Sequence, residues 1–286
     1  MRAVDVHTHA FPDFLAQRAV EAIVENATMQ WAFLDGTVAD LVRSMDRAGI
    51  DRSVVACIAT APKQFENIFR WCGEIRSDRL IPFPSVHPFS ERAADEVRRI
   101  ADAGFRGIKL HPLYQDFDPL DDRAIDLYRA AADAGLVMLF HSGDDLCFLG
   151  DHRCDPRRML EIKRRVPDLT MILSHLGGFW QSTEFIRHGL GSDVYIETSH
   201  TIPAQPSETF ARLCREHEGR VMFGTDSPWQ DQQAEIEKLK RVIDDEQLLE
   251  DVLWNNAAHL LGLEEPPAEP HRTDTTDNEC SRKDGR

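Results

Sequence analysis

Near its N-terminus the sequence reads Ala3-Val4-Asp5-Val6-His7-Thr8-His9, a short apolar run that ends in two histidines. Apolar, β-branched runs of this length are typical of buried strands. A doubly wound open sheet would normally place a glycine-rich phosphate turn directly after its first strand. Two histidines occupy that place here, so this stretch favours a different arrangement of parallel strands.

Seven further runs of the same kind follow, with amphipathic stretches between them. Residues 65–75, for example, repeat apolar side chains at helical spacing. Gly104 and Gly135 each follow such a stretch, as expected at helix C-termini. The predicted strands are Ala3–His7, Arg52–Ala59, Leu80–Val86, Phe105–His111, Val137–His141, Thr170–His175, Asp193–Glu197 and Val221–Thr225. Eight βα units fit an α/β fold of the (β/α)₈ TIM-barrel type, whose usual size is about 250 residues.

The barrel is expected to occupy residues 1–265 as a single domain. The remaining segment, Pro266 to Arg286, contains no Val, Ile, Leu, Met, Phe, Trp or Tyr. A segment of that composition cannot bury apolar surface, so we predict a disordered C-terminal tail.

Composition narrows the classes of partner. The chain carries 33 basic and 49 acidic residues, a net charge of −16, which argues against binding to nucleic acid. No run of about 18 apolar residues predicts a membrane-spanning helix, and the N-terminus lacks the layout of a signal peptide. The six cysteines form no C-x-x-C pair, which favours reduced thiols. We therefore expect a cytoplasmic protein that binds neither nucleic acid nor a membrane.

Histidines close several of the predicted strands, among them His7, His111, His141 and His175, and Asp226 follows the eighth strand. In a barrel the C-terminal ends of all parallel strands meet at one rim, where barrel enzymes have their active sites. Residues spread over most of the sequence are therefore expected in one pocket.

Four of these residues have the chemistry of a metal site. His7 and His9 lie two apart on an extended segment, so both rings point to one face, about 7 Å apart. His141 and Asp226 complete a nitrogen-rich set of ligands suited to Zn²⁺ or Mn²⁺. The sequence thus predicts one divalent ion, with Zn²⁺ preferred over Mn²⁺, bound by His7, His9, His141 and Asp226.

Several motifs together resemble a known family. The matching stretches include Asp5-Val6-His7-Thr8-His9, Gly107-Ile108-Lys109-Leu110-His111, Leu173-Ser174-His175 and Gly224-Thr225-Asp226-Ser227-Pro228-Trp229. They are similar to the amidohydrolase-related ("amidohydrolase 2") branch of the amidohydrolase superfamily, a group of metal-dependent barrel hydrolases and decarboxylases. The resemblance leaves out only the tail.

The resemblance implies a mechanism with alternatives. In a hydrolase, Asp226 would accept a proton from a metal-activated water, and His175 would orient that water or stabilise the developing oxyanion. The substrate would be a small carboxylated or cyclic compound. In a non-oxidative decarboxylase the same metal site would hold the substrate and Asp226 would donate a proton. A non-catalytic binding barrel is a third, less favoured alternative, and the branch commonly forms homodimers.

Lys109, His111 and Trp229 are assigned to substrate binding. Other branches of the superfamily carry a carboxylated lysine on the fourth strand that bridges two metals. For Lys109 we favour a buried lysine that pairs with a carboxylate or contacts substrate over that role. His111 and His200 could equally be structural, and His87 is expected to be so. Aromatic residues that follow the strands could form a pocket wall or pack in loops: Phe11, Tyr114, Phe148, Phe179, Trp180 and Trp229.

Overall fold

The computed structural model describes residues 1–27, 30–203, 207–217 and 219–263 and has the eight predicted parallel strands in the predicted order. The strands are β1 Val4–Thr8, β2 Arg52–Ala56, β3 Leu80–Phe83, β4 Gly107–Leu110, β5 Val137–Phe140, β6 Met171–Leu173, β7 Tyr195–Glu197 and β8 Val221–Met222. Most are shorter at their C-terminal ends than predicted. At β6 the reason is visible, because His175 has a positive φ of 62° that is incompatible with continued pairing.

The strands close into a barrel. Continuous pairing joins β1 to β3 and β4 to β8. At the two remaining seams the Lys109 amide donates to the Pro84 carbonyl at 2.9 Å, and the Val6 amide donates to the Phe223 carbonyl at 2.9 Å. The predicted (β/α)₈ TIM barrel is confirmed.

Helices follow every strand. They are α1 Asp13–Asn26, α2 Val38–Ala48, α3 Phe65–Ile75, α4 Ala93–Asp102, α5 Asp122–Asp133, α6 Pro156–Arg165, α7 Ser182–His188, α8 Glu208–Glu216, α9 Gln232–Val242, α10 Glu246–Glu250 and α11 Asn256–Leu261. A 3₁₀ turn, Pro62–Gln64, precedes α3, and a π-helical turn, Asp251–Asn255, joins α10 to α11. Gly104 and Gly135 follow α4 and α5 with φ of 75° and 66°, the left-handed conformation expected after a helix.

Side chains alternate between two apolar layers. On β5, Val137 and Leu139 belong to one buried cluster together with side chains of other strands, whereas Met138 and Phe140 pack in the layer that includes the helices. Trp254 of the C-terminal helical segment joins the first cluster. The barrel is therefore a packed core below its rim, and the chemistry is confined to the C-terminal ends of the strands.

A bulge in β1 directs the first histidine. Asp5 pairs with Ser53 and Thr8 with Val55, so β1 has one extra residue between these pairs. Such a bulge changes the face to which the following side chains point. Val6 packs in the interior cluster, and yet the adjacent His7 side chain also contacts interior groups, as described below.

Of the remaining predictions, those for membrane-spanning helices and for the cysteines can be compared with the described residues, and the one for the tail cannot. The predicted tail from Pro266 lies outside the described residues. In the described part of the chain no helix combines the length and hydropathy needed to span a membrane. All five cysteines in that part are free thiols, and Cys57 Sγ lies 3.4 Å from Cys72 Sγ.

Gly107 provides a test of the barrel packing. A Cβ at this position would lie 2.5 Å from the Phe83 ring and 2.5 Å from the Val137 carbonyl oxygen, which is fixed in the sheet. We expect Gly107→Ala to lower the free energy of unfolding by about 1–3 kcal/mol through overpacking. Gly73→Ala in α3, where nothing lies within 4 Å, should raise it by about 0.5–1 kcal/mol. Urea denaturation of both variants checks this pair, and equal midpoints would contradict it.

Candidate active site

Three of the four predicted metal ligands meet at the rim of the barrel. Asp226 Oδ1 lies 3.1 Å from His9 Nε2 and 3.4 Å from His7 Nε2. The two imidazole rings are 5.1 Å apart between centroids, closer than the spacing expected for a regular strand. Separations of this size suit ligands of one ion held at about 2.0–2.1 Å from each nitrogen.

The protonation states of these rings follow from their other contacts. His7 Nδ1 lies 3.0 Å from Glu197 Oε1, and His9 Nδ1 lies 2.8 Å from the Ala56 carbonyl oxygen. Both partners can only accept, so each Nδ1 carries a proton and each Nε2 presents a lone pair. Burial holds the pKa of His7 well below its usual value, which keeps this ring neutral.

Asp226 Oδ1 is the third atom of this group. It is buried and has no hydrogen-bond donor among the described residues. Two imidazole lone pairs and a carboxylate oxygen thus face one another with no hydrogen bond between them. A bound cation would satisfy all three, so this donor set fits a divalent metal.

A second pair of lone pairs lies beside the first group. Ser199 Oγ donates to Glu197 Oε1 at 2.7 Å and must therefore accept from His175 Nδ1, also at 2.7 Å. His141 Nε2 donates to the Asp144 carbonyl at 2.9 Å. The remaining nitrogens, His175 Nε2 and His141 Nδ1, face each other at 3.3 Å. Burial lowers the pKa of both rings well below the usual value, so no proton lies between them.

His141, the fourth predicted ligand, has different close neighbours from the other three. Its ring stacks on His111 with centroids 4.1 Å apart, and its donor atoms group with those of His111 and Asp145. His175, which was assigned to catalysis, groups instead with His7 and Glu197. Its Nε2 lone pair faces His141 Nδ1 at 3.3 Å, so both rings present an acceptor atom to the cavity.

Glu197, at the end of β7, was not among the predicted site residues. Its fully buried carboxylate accepts from His7 Nδ1 and Ser199 Oγ, and also from the amides of His175 at 2.9 Å and Ser199 at 2.6 Å. Gly224 packs against it, since a Cβ there would lie 2.2 Å from Oε2. The available signal in the sequence was a carboxylate that closes an otherwise apolar strand.

Lys109 lies inside the same group of side chains. It is fully buried, and its Nζ lies 3.0 Å from His7 Nε2. Burial lowers the pKa of Lys109 to about 8, and the carboxylates of Asp226 and Glu197 oppose this shift. The ammonium group therefore approaches the same nitrogen that is available to a metal.

The two carboxylate oxygens of Asp226 have different neighbours. Its Oδ2 lies 3.1 Å from His200 Nε2, whereas Oδ1 faces the histidines of β1. Burial alone would raise its pKa, but the neighbouring imidazoles of His7, His200 and His9 hold the pKa well below the usual value. Asp226 is therefore an ionised base rather than a neutral acid in this environment.

Backbone strain is concentrated at this rim. His175, His200 and Asp226 have φ of 62°, 60° and 59°, and they follow β6, β7 and β8. Non-glycine residues rarely adopt this conformation, and where they do they often belong to functional sites. Three such residues around one cavity mark it as a site under constraint.

Asp5 connects the two segments that carry the His7–His9–Asp226 group. Its carboxylate accepts from the Thr225 amide and Oγ1 at 3.0 and 2.6 Å, from Gln232 Nε2 at 2.8 Å and from the His7 amide at 3.2 Å. Burial raises the pKa of Asp5 to about 7 against these four donors. This contact fixes β1 to the loop after β8, and thereby His7 relative to Asp226.

The histidines of the site, Lys109 and Asp226 line a cavity of about 610 Å³, whereas Asp5, Glu197 and Ser199 lie behind them and do not line it. The predicted substrate-binding residues Lys109, His111 and Trp229 all line it, and His111 Nε2 lies 3.4 Å from Asp145 Oδ2. Of the aromatic residues singled out in the sequence, four line the cavity, whereas Phe148 and Trp180 do not: Phe11, Tyr114, Phe179 and Trp229. His87 does not line it, and its Nδ1 accepts from the Phe89 amide, which agrees with a structural role.

Solved structures with the same fold include three that cover 92% of this chain. An uncharacterised TIM-barrel protein from Bordetella bronchiseptica has a TM-score of 0.73 at 18% identity over 99% of its own length. A putative amidohydrolase from Staphylococcus aureus has a TM-score of 0.66 at 15% identity over 100% of its length. A mutant 5-carboxyvanillate decarboxylase from Novosphingobium aromaticivorans, with bound manganese and 3-methoxy-4-hydroxy-5-nitrobenzoic acid, has a TM-score of 0.64 at 15% identity over 97% of its length.

A sequence comparison with curated proteins gives no match. The sequence model of the amidohydrolase family Amidohydro_2, in contrast, matches residues 4–263, the whole barrel. The match includes β1 with its two histidines, the lysine of β4 and the aspartate after β8. The chain therefore belongs to the amidohydrolase family Amidohydro_2.

Proposed function

We propose that this protein is a metal-dependent hydrolase that acts on a small carboxylated or cyclic compound. The observation that carries the proposal is a set of unprotonated acceptor atoms that line one cavity. His7 and His9 present Nε2 lone pairs to a carboxylate oxygen of Asp226, and in the same cavity the lone pairs of His141 and His175 face each other. These atoms are His7 Nε2, His9 Nε2, His141 Nδ1, His175 Nε2 and Asp226 Oδ1.

The ligands proposed for the ion are His7, His9, Asp226 and His141. Nitrogen-rich ligands with one carboxylate suit Zn²⁺ or Mn²⁺, and the manganese in the similar decarboxylase structure supports the second choice. A divalent ion bound there would supply Lewis acidity, which polarises a substrate oxygen and lowers the pKa of water. The reaction is proposed to take place in the cytoplasm on a small-molecule substrate.

Asp226 is the proposed general base. Its carboxylate presents Oδ1 to the histidines of β1 and Oδ2 to His200, so Oδ1 can hold the ion while Oδ2 takes a proton from the attacking water. His200 can then share the proton that Asp226 has accepted. His175, whose Nδ1–H is fixed by Ser199, is proposed to orient the water by accepting from it at Nε2; its alternative role, to stabilise the developing oxyanion, would require a proton on Nε2.

Lys109, His111 and Trp229 are proposed to bind the substrate. The ammonium of Lys109 can neutralise a substrate carboxylate or oxyanion at the base of the cavity. The imidazole of His111 can donate from Nε2, which is directed at Asp145 Oδ2, because its Nδ1 accepts from the Tyr114 amide at 3.4 Å. Trp229 supplies an apolar wall.

A non-oxidative decarboxylase is the second candidate. The fold similarity to a 5-carboxyvanillate decarboxylase favours it, as do the aromatic side chains around the cavity. In that reaction a protonated Asp226 would donate to the ring carbon as the carbon–carbon bond breaks and CO₂ leaves. The ionised state of Asp226 in this environment favours its role as a base, and thus hydrolysis.

One screen distinguishes the two reactions. Metal-loaded protein is incubated with panels of esters, lactones and amides, and separately with aromatic carboxylates. Cleavage with incorporation of ¹⁸O from labelled water supports the hydrolase. Release of ¹³CO₂ from labelled carboxylates without cleavage of the first panel would replace it with the decarboxylase.

The metal site itself gives a prediction. Protein purified without chelator should contain about one equivalent of Zn²⁺ or Mn²⁺, because the converging lone pairs require a cation. The double variant His7→Ala/His9→Ala should lose it, as measured by plasma mass spectrometry. The matched control His152→Ala/His188→Ala, which removes two exposed histidines, should keep full occupancy. Full metal content in the first variant would refute the assigned ligands.

Glu197 is predicted to matter through His7 and His175. Glu197→Gln replaces an acceptor-only carboxylate with an amide that cannot hold both rings in the required tautomer, so metal affinity should fall about 10–100-fold. Competition with a chromogenic chelator measures this. Glu235→Gln, at another buried carboxylate remote from the cavity, is the control and should leave the affinity unchanged. Unchanged affinity in Glu197→Gln would show that the carboxylate does not direct the ligands.

Asp226→Asn separates proton transfer from metal binding. The amide keeps one oxygen for the ion but loses the basic carboxylate, so we expect near-normal metal content with turnover lowered by about 10²–10⁴. Turnover of the substrate found in the screen and metal analysis are measured on the same sample. Asp193→Asn, an exposed aspartate outside the cavity, should turn over normally. Normal turnover in Asp226→Asn would exclude it as the base.

A further inference from the structure

The cavity extends well beyond the histidines at its base. Its volume of about 610 Å³ lies within the range of 300–1,000 Å³ typical of sites for drug-sized ligands. From the strand ends it continues between α1 and α3, where Ile23 faces one side and Ile68 and Trp71 the other. We call the space between these three side chains the α1–α3 cleft.

The α1–α3 cleft is fixed to the active-site loops. Tyr114 Oη, which follows β4, donates to Cys147 Sγ at 3.0 Å, and this sulfur lies 3.8 Å from the Ile23 carbonyl oxygen. All three residues line the same cavity as His7. The cleft and the proposed metal site are therefore two parts of one space.

The walls of the cleft are apolar and incompletely covered by the protein. Only Ala16 is buried among the fourteen residues of α1. Phe14 is 91% exposed and Leu15 38% exposed, and both line the outer part of the cavity. An amphipathic helix normally covers its apolar side chains with the core, so apolar residues left accessible beside a site indicate a ligand surface.

The polar side chains that line the cavity near the cleft include the uncharged Gln30, Thr60 and Gln64. Asn67, Arg70 and Glu74 lie at exposed positions of α3, where solvent reaches them. No charged side chain of the described residues lines the cavity between these and the catalytic group except Asp145 and Lys109, which belong to the strand-end loops and β4. The middle of the cavity is thus suited to a nonpolar part of a ligand.

We propose that the α1–α3 cleft binds an alkyl or aryl arm of the substrate, so that the substrate joins a metal-binding head to a nonpolar arm. This inference rests on the proposed function for the head and extends it, since a single small ring would leave the cleft unfilled. Ile23, Ile68 and Trp71 determine specificity for the arm. The occupant is a substrate arm and not a protein segment, because anything else in the cleft would obstruct the site with which it is continuous.

A homologous series of ligands tests the arm. Binding of n-alkyl hydroxamates, from acetohydroxamate to decanohydroxamate, is measured by calorimetry with the metal-loaded protein. Each methylene that enters the cleft should tighten binding about fourfold, from about 0.8 kcal/mol per buried CH₂. The increase should end at the length that fills the cleft. Affinity that is flat across the series, with acetohydroxamate still bound, would overturn the arm proposal and leave the proposed function intact.

Variants on one helix make the test specific. Ile23→Asn places an amide in the cleft and should reduce the gain per methylene to less than twofold, with acetohydroxamate bound as before. Val24→Asn, a half-buried neighbour on α1 that does not line the cavity, is the matched control and should keep the wild-type gain. Equal gains in the two variants would contradict the assignment of the cleft.

A measurement that does not depend on the metal tests the cleft in the case where acetohydroxamate fails to bind. If acetohydroxamate does not bind, the proposed metal site is wrong, and the cleft is tested alone by displacement of 1-anilinonaphthalene-8-sulfonate with n-alkanols from ethanol to octanol. Displacement that strengthens with chain length in the wild type and not in Ile23→Asn supports the cleft. Displacement that is independent of length refutes it.

Discussion

The carboxylate of Glu197 sets the direction of the imidazoles around it. It accepts directly from His7 Nδ1, and it fixes the hydroxyl of Ser199, which in turn accepts from His175 Nδ1. Both rings must therefore present Nε2 lone pairs to the cavity. An isolated carboxylate in the barrel interior would be costly, but four donors and the close approach of Gly224 stabilise this one in a single position. The proposed ligand set depends on that position.

The barrel holds this polar group in a strained arrangement. Three residues that follow consecutive strands, His175, His200 and Asp226, have left-handed backbones, each at a cost of about 1–3 kcal/mol. The packed interior below the rim and the contacts of Asp5 across the β1–β8 seam offset this cost. The packed lower part of the barrel thus offsets the backbone strain at the rim, a division of roles that is common in barrel enzymes.

The two ends of the cavity differ in chemistry. At the strand ends, neutral imidazoles, an ionised carboxylate and the Lys109 ammonium lie within hydrogen-bond distance of their neighbours. Low solvent access strengthens the electrostatic interactions between them. Between α1 and α3 the lining is apolar and α1 is lightly packed. A ligand that matches both ends must be amphipathic. Hydrolysis and decarboxylation are both compatible with the same polar end.

The sequence by itself determined the barrel, because eight apolar runs separated by helical stretches can bury both faces of their strands in few other ways. It also identified His7, His9 and Asp226 as neighbours, because the parallel strands of a barrel end at one rim. It did not identify Glu197, which reads as one acidic residue at a strand end, nor the role of His175 beside His141. Those depend on the bulge in β1, on left-handed residues and on which nitrogen of each ring is already bonded. Only the tertiary structure decides these features. The hydrogen-bond partner of one ring nitrogen determines that the other nitrogen presents a lone pair to the cavity, and that partner comes from a strand that is distant in the sequence.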